Sequence, residues 1–311
     1  MKFLRLLIVA FPFFVQAQTR PIMNQYMLHQ SYFNPGYFDT ESKFAVSTIY
    51  RRQWMRQNKF PEIGVLYGHY NFDPTHSVGA VISNDLMNGV NHFEAAANYV
   101  YNIPLSNSYN IGLGIRAGIS EQNLLSQNLL YFDPVEPTLS EDSYTFIYAS
   151  AGIGASLSSK TLDIHLSAPY LFGNRFLNKS AIYSPEYMPI YFSSGYKFRF
   201  SDWFILYPNM FVSAVKGSRI HGKFNVSMLS SQLIWFGLGA STDASIHAVV
   251  GIFSMGGLRV TYSYENSFFT QHYNTGESHE ISLSYAKVMR YNAFNRRKSK
   301  VRNLRPRNWK K

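Results

Sequence analysis

GLRVTYSYE, residues 257 to 265, puts Leu258, Val260, Tyr262 and Tyr264 on one side of an extended chain and Arg259, Thr261, Ser263 and Glu265 on the other. One face is oily and aromatic, the other wet. Lys223 to Met228 repeats the pattern, with Phe224, Val226 and Met228 against Lys223, Asn225 and Ser227. Gly195 to Phe200 sets Tyr196, Phe198 and Phe200 against Lys197 and Arg199. In Asn110 to Ser120, Ile111, Leu113, Ile115, Ala117 and Ile119 oppose glycines, Asn110, Arg116 and Ser120. A soluble β-sandwich also alternates. Charge separates the two readings: charged residues make up 15% of this chain and aromatic residues 17%, whereas a soluble domain averages about 25% charged. Much of this surface is built to face something other than water.

No run of 18 apolar residues follows the N-terminus, so the alternating segments, not helices, must cross a membrane. Strands are expected near residues 44–55, 62–72, 76–86, 91–103, 108–120, 144–158, 161–169, 189–200, 203–215, 221–231, 233–242, 245–255, 257–267 and 278–289. That is an even number of antiparallel strands, about 14, of the length a tilted barrel strand needs to span a bilayer. The expected fold class is all-β: a transmembrane outer-membrane β-barrel with short turns on one side and longer loops, notably Glu121 to Ser143 and Tyr170 to Met188, on the other.

The ends of the chain differ from the barrel in composition. Lys2 and Arg5, the apolar run Leu6 to Val15, and Val15-Gln16-Ala17 read as a secretory signal peptide over residues 1–17, with no Cys after the site for a lipid anchor. Residues 18–43 form an aromatic, turn-punctuated segment before a barrel expected over 44–290. Tyr26, Met27, Tyr32, Phe33 and Tyr37 are too apolar to stay in water, and Asn34-Pro35 marks a turn, so this segment is expected to be a lumenal or rim plug. From Ile281 onward there are eleven Lys or Arg and no acid, which accounts for the whole net charge of +11. Residues 291–311, with Arg296, Arg297, Lys298, Lys300, Arg302, Arg305, Arg307, Trp309, Lys310 and Lys311, therefore form a basic tail that cannot make a core and is expected to bind an anionic periplasmic protein or the cell wall. A secreted chain does not meet nucleic acid, so none is expected as a partner.

Catalytic signatures are missing. The nine His form no H-x-x-x-H or H-E-x-x-H spacing and there is no Cys, so neither metal nor cofactor is expected, and the chain is not expected to be an enzyme. Ser278-His279-Glu280 cannot line up as a triad fragment, because strand neighbours point to opposite faces. Gly112-x-Gly114 and Gly237-x-Gly239 lie inside alternating strands and read as small inward residues that relieve curvature. Asp133, Glu136, Glu141 and Asp142 form an acidic cluster in the longest loop, for which a solvated loop is the stronger reading and a calcium site the weaker.

Gln25-Tyr26-Met27, Asn34-Pro35-Gly36-Tyr37, Arg52-Gln53-Trp54, Pro61, Gly79 and Ser83-Asn84-Asp85, with Ser278-His279-Glu280-Ile281-x-Leu283-x-Tyr285 near the other end, resemble the PorP/SprF outer-membrane proteins of the Bacteroidetes type IX secretion and gliding machinery. The chain departs from that pattern at Leu28 to Ser31, where the family usually has a second Asn-Pro, and at Gly36 to Asp39. The resemblance implies a non-enzymatic barrel in the outer membrane, in contact with bilayer lipid and lipopolysaccharide. One branch of the family serves the periplasmic ring and its lipoprotein; the other anchors secreted adhesins through their C-terminal domains. The basic tail, with both termini expected in the periplasm, favours the PorP-like branch. A channel stays open as a third reading: inward Arg51, Arg116, Lys197, Arg199, Lys223 and Arg259 would make an anion-favouring lumen if it held water.

Overall fold

The computed structural model describes residues 22–56, 60–87, 89–106, 108–125, 143–171, 188–201, 203–216, 218–230, 233–254, 256–267 and 276–288. Alternation carries almost all of them into one antiparallel sheet. Its strands are β1 (Ser42–Arg52), β2 (Glu62–Asn71), β3 (His76–Met87), β4 (Val90–Pro104), β5 (Asn110–Leu125), β6 (Ser143–Ser158) and β7 (Leu162–Ala168). They continue as β8 (Ile190–Tyr196, resuming at Phe198–Arg199), β9 (Phe204–Ala214), β10 (His221–Ser230), β11 (Ile234–Ser241), β12 (Ser245–Phe253), β13 (Leu258–Ser267) and β14 (Ser278–Val288). Each strand pairs with its sequence neighbours, and β1 pairs with β14 from Ser42↔Val288 to Arg52↔His279, so the sheet closes into a 14-stranded barrel. Closure removes the free edge and satisfies the backbone within the sheet, as a bilayer demands. No described helix is long and apolar enough to cross a membrane.

The division of faces follows the sequence. Leu113, Ile115, Ile119, Phe224, Val226, Leu258, Val260 and Tyr262 are exposed on the outside, whereas Arg116, Ser120, Asn225, Ser227, Thr261, Ser263 and Glu265 are buried inside. His279 points outward to the Tyr262 hydroxyl, 2.6 Å away, while Glu280 points in. The two residues thus sit on opposite faces of β14.

Every even-numbered strand but the last passes into its successor by a short turn on one rim, at 72–75, 105–109, 159–161, 200–203, 231–233 and 254–257. In the first of these, Asp73 accepts the N–H groups of Thr75 and His76 at 2.7 and 2.8 Å. Those donors, Thr75 first, hold its carboxyl below the ordinary carboxylate value. The barrel begins and ends on this same rim. The opposite rim carries the long connections, although 88–89 and 242–244 are short there too.

Most strand ends shift by a few residues from the sequence reading, β1 for example running Ser42–Arg52 where 44–55 was expected, and two departures have a clear cause. β5 runs on to Leu125 rather than ending at Ser120, because β4 starts low enough to pair Phe93↔Glu121 and Val90↔Leu124; the polar run Glu121-Gln122-Asn123 hides this extension from a hydrophobic pattern. β8 breaks at Lys197, whose N–H turns aside to the carbonyl of Thr161 at 2.7 Å. The signal peptide, the basic tail and the acidic loop residues Asp133, Glu136, Glu141 and Asp142 lie outside the described residues.

Candidate functional site in the barrel lumen

Residues 22–41 lie inside the ring. A 3-10 turn, Tyr26–Leu28, leads into a four-residue helix, α1 (Gln30–Phe33), too short to show a periodic pattern in sequence. The hydrogen-bond partners of this segment are spread around the wall, so it touches opposite sides of the barrel at once.

On one side the wall offers fixed charge. Arg51 on β1 is fully buried and reaches Glu280 on β14 at 3.0 Å and Glu265 on β13 at 3.2 Å. Lys223 on β10 reaches Glu265 at 2.7 Å. The four charges cancel. Such a cluster is tolerable in a dry interior only when its remaining lone pairs are also satisfied. The N-terminal segment satisfies them: the N–H groups of Asn24 and Gln25 donate to the two carboxylate oxygens of Glu280 at 2.9 and 3.0 Å, and Lys223 donates to the side-chain carbonyl of Asn24. Gln25 also donates through Nε2 to the Glu280 carbonyl at 3.3 Å and accepts from Ser282 at 2.8 Å and from Thr261. His29, fully buried, spans from Tyr67 on β2 at 2.7 Å to Ser282 on β14 at 3.1 Å.

Across the lumen the wall is bare. Asn34 donates from Nδ2 to the carbonyl of Ala155 at 2.9 Å and accepts the N–H of Gly36 at 2.7 Å, which makes the Asn34-Pro35-Gly36 turn. That turn lies flat on β5 and β6. A Cβ on Gly154 would stand 1.9 Å from Asn34 Oδ1, one on Gly114 2.1 Å from the Pro35 carbonyl oxygen, and one on Gly112 2.3 Å from that of Gly36. The Gly112-x-Gly114 pair therefore makes room for a second piece of backbone, and its purpose is docking, not the relief of curvature. Gly237 and Gly239 serve another end, leaving space for Asn225 and His247.

Between these contacts lies an apolar core. The ring of Phe33 packs on Phe211 and Tyr191 at centroid distances of 4.9 and 5.9 Å, and Tyr26 packs on Phe211 at 5.4 Å. Met23, Met27 and Tyr32 join Ile49, Ile63, Val65, Val81, Trp235 and Val249 from the inner wall. The Tyr26 hydroxyl donates to the carbonyl of Asn209 on β9 at 3.1 Å. Arg116 caps α1: its guanidinium donates to the carbonyls of Tyr32 at 2.8 Å and Ser31 at 3.4 Å and is steadied by Asn98 at 2.8 Å.

The other singled-out residues fall elsewhere. Lys197 pairs with Asp163 at 2.8 Å, Arg199 is exposed at the end of β8, and Arg259 lies over the ring of Phe253 at 5.2 Å. Gln53 is buried and Trp54 half-buried at the long-connection rim, where Gln53 shares a small cavity with Ile22; Gln53 donates its N–H to the carbonyl of Pro61 at 2.9 Å, and Trp54 takes φ 57°, a left-handed conformation that costs a non-glycine residue energy. Arg296, Arg297 and the rest of the tail lie outside the described residues. Sequence reasoning quoted Glu280 within Ser278-His279-Glu280 but gave it no lumenal role, and one signal could have done so: it is the one acid in the inward register of β14, between Ser278 and Ser282.

A family model described as "Type IX secretion system membrane protein PorP/SprF" matches residues 15–285. The chain belongs to the PorP/SprF family. It is therefore a membrane component of type IX secretion, and its barrel places it in the outer membrane. No curated protein matches it. Among solved structures, the TodX deltaS2S3 mutant monoaromatic hydrocarbon channel is similar in fold at TM-score 0.51 and 8% identity, over 86% of this chain and 95% of that one. Omp33 of Acinetobacter baumannii gives TM-score 0.47 at 8% identity, over 79% of this chain and 99% of its own. A Pseudomonas aeruginosa FadL homologue gives 0.46 at 9% identity, over 81% and 92%. At these identities the likeness is of fold alone.

Proposed function

We propose that this PorP/SprF barrel is a closed, non-enzymatic scaffold that docks the periplasmic ring of the type IX secretion system at the outer membrane, with the short-turn rim and the C-terminus in the periplasm. The observation that carries the reading is the filled lumen. Residues 22–41 are hydrogen-bonded to β2, β5, β6, β7, β8, β9, β10, β13 and β14, and cavities lined by this segment and the wall among the described residues measure about 10, 60 and 20 Å³. A barrel so packed serves as a rigid platform.

The basic lumen that a channel reading needs is largely neutralised. Arg51, Lys223 and Lys197 are paired with carboxylates and Arg116 with backbone carbonyls. Short turns on the rim shared by Ser42 and Val288 support a periplasmic orientation for that rim, because outer-membrane barrels keep their short turns there. The eleven basic residues from Ile281 onward then sit where an acidic ring or lipoprotein subunit can meet them. The SprF-like alternative, anchoring of secreted C-terminal domains, uses the opposite rim. Co-purification from native membranes separates the two: ring and lipoprotein subunits should remain bound to this chain, and retention of secreted C-terminal domains in their place would assign the other branch.

A further inference from the structure

Four lumenal cations are engaged and one is not. Arg51, Lys223 and Lys197 hold carboxylates, and Arg116 holds carbonyls. Arg259 has no carboxylate partner among the described residues; its guanidinium rests on the ring of Phe253. It lines a cavity of about 60 Å³ together with Ser47, Tyr67, His69, Phe253 and Ser284. Leu28, His29 and Tyr37 of the lumenal segment form its inner wall, and Ala45 and Ala286, which pair near the start of β1 and the end of β14, place its other side toward the short-turn rim.

We propose that this cavity is a carboxylate-binding site with Arg259 as its recognition residue. A guanidinium presents a planar fork of donors that matches a carboxylate in two places at once, and Ser284 adds a hydroxyl beside it. Asp39 also lines the cavity, held by the Ser42 hydroxyl, by the N–H of Glu41 at 2.8 Å and by His69 at 3.7 Å. Its negative charge opposes any anion entering the cavity, a phosphate dianion about twice as strongly as a carboxylate, so the site selects the singly charged ligand only by the smaller penalty. The volume accommodates several waters or one carboxylate with the carbon that bears it.

The stretches of sequence that flank the described residues offer no acidic side chain. Residues 1–21 and 289–311 contain no Asp or Glu, and the second stretch adds ten Lys or Arg. The chemistry fits an acidic side chain or C-terminus of another protein, one that also meets the basic tail. The inference extends the reading of this rim as the docking side.

The test uses the purified full chain in detergent micelles, a fluorescently labelled tetraglutamate peptide, and acetate as the free carboxylate. Tetraglutamate should bind, acetate should compete better than chloride at equal ionic strength, and Arg259→Gln should weaken binding about tenfold, the order of one lost charge-assisted hydrogen bond. Deleting Asn295 to Lys311 should lower overall affinity and keep the dependence on Arg259. Ser284→Leu, which fills the cavity and spares the guanidinium, should reproduce the loss and decides the matter if Arg259→Gln does not assemble. Binding of acetate alone, still dependent on Arg259, would keep the site and identify its ligand as a free small carboxylate. Unchanged binding in Arg259→Gln, or chloride competing as well as acetate, overturns the proposal. Peptide binding by the isolated barrel tests the cavity and ring co-purification tests the docking reading, so either can fail without the other.

Discussion

Glu280 holds the backbone of Gln25 from 255 positions away in sequence: the Gln25 N–H donates to one carboxylate oxygen at 3.0 Å, and its side-chain amide donates to the Glu280 carbonyl at 3.3 Å. The same carboxylate takes the Asn24 N–H and faces Arg51. One side chain on the last strand thus joins the lumenal segment to the seam where β14 closes on β1.

Glu280→Ala leaves Arg51 with one carboxylate fewer and two buried N–H groups without acceptors. Breaking a buried, hydrogen-bonded ion pair costs about 3–5 kcal/mol. The variant should lose its heat-resistant folded form at a lower temperature, and protease should reach the segment around Gln25. Replacing Arg51 by Met in the same chain should recover part of the loss, because the uncompensated charge is then gone. Equal melting of wild type and Glu280→Ala would show that the clamp contributes nothing.

Gly154→Val should expel the Asn34-Pro35-Gly36 turn while leaving the barrel assembled. Strand geometry welcomes valine, yet a Cβ at that position would stand 1.9 Å from Asn34 Oδ1. Gly64→Ala is the control, because a Cβ there meets nothing within 4 Å. Hydrogen exchange of residues 30–38 should rise in the first variant alone.

Replacing Tyr26 and Phe33 by Ser removes two of the three rings that pack on Phe211, leaving Tyr191. Truncating a buried aromatic costs roughly 3–5 kcal/mol, so the double variant should melt well below wild type and admit small solutes that the wild type excludes. Unchanged melting together with unchanged permeability would reduce the segment to a linker.

The barrel was legible because a two-residue period needs only side-chain type. GLRVTYSYE declares its faces without reference to any other part of the chain. The turn at Asn34-Pro35 was legible for the same local reason. The anchoring of the segment was not, because it depends on pairs such as Gln25 with Glu280 and Asn34 with Ala155, separated by 255 and 121 positions. Gly112 and Gly114 on β5 looked like concessions to curvature because what presses on them, the Pro35-Gly36 backbone, comes from elsewhere in the chain. Inward apolar residues such as Ile49, Val65 and Phe211 likewise break the wet face only because the lumen holds protein.

Deleting Asn295 to Lys311 should leave a folded barrel in the outer membrane and loosen its hold on the periplasmic ring. Contact through so many like charges should weaken with salt, since screening shortens such attraction to about 8 Å at physiological ionic strength. Ring co-purification should fall on deletion and, in the intact chain, on raising salt. Undiminished co-purification and normal secretion after deletion would sink docking through the tail.

The closed lumen is the central claim, and conductance of the purified wild-type barrel in a planar bilayer tests it most directly. Insertion without steady current is the predicted result, with openings appearing when Gly154→Val or the Tyr26 and Phe33 double variant is inserted instead. A steady ohmic current through the wild-type barrel would contradict it.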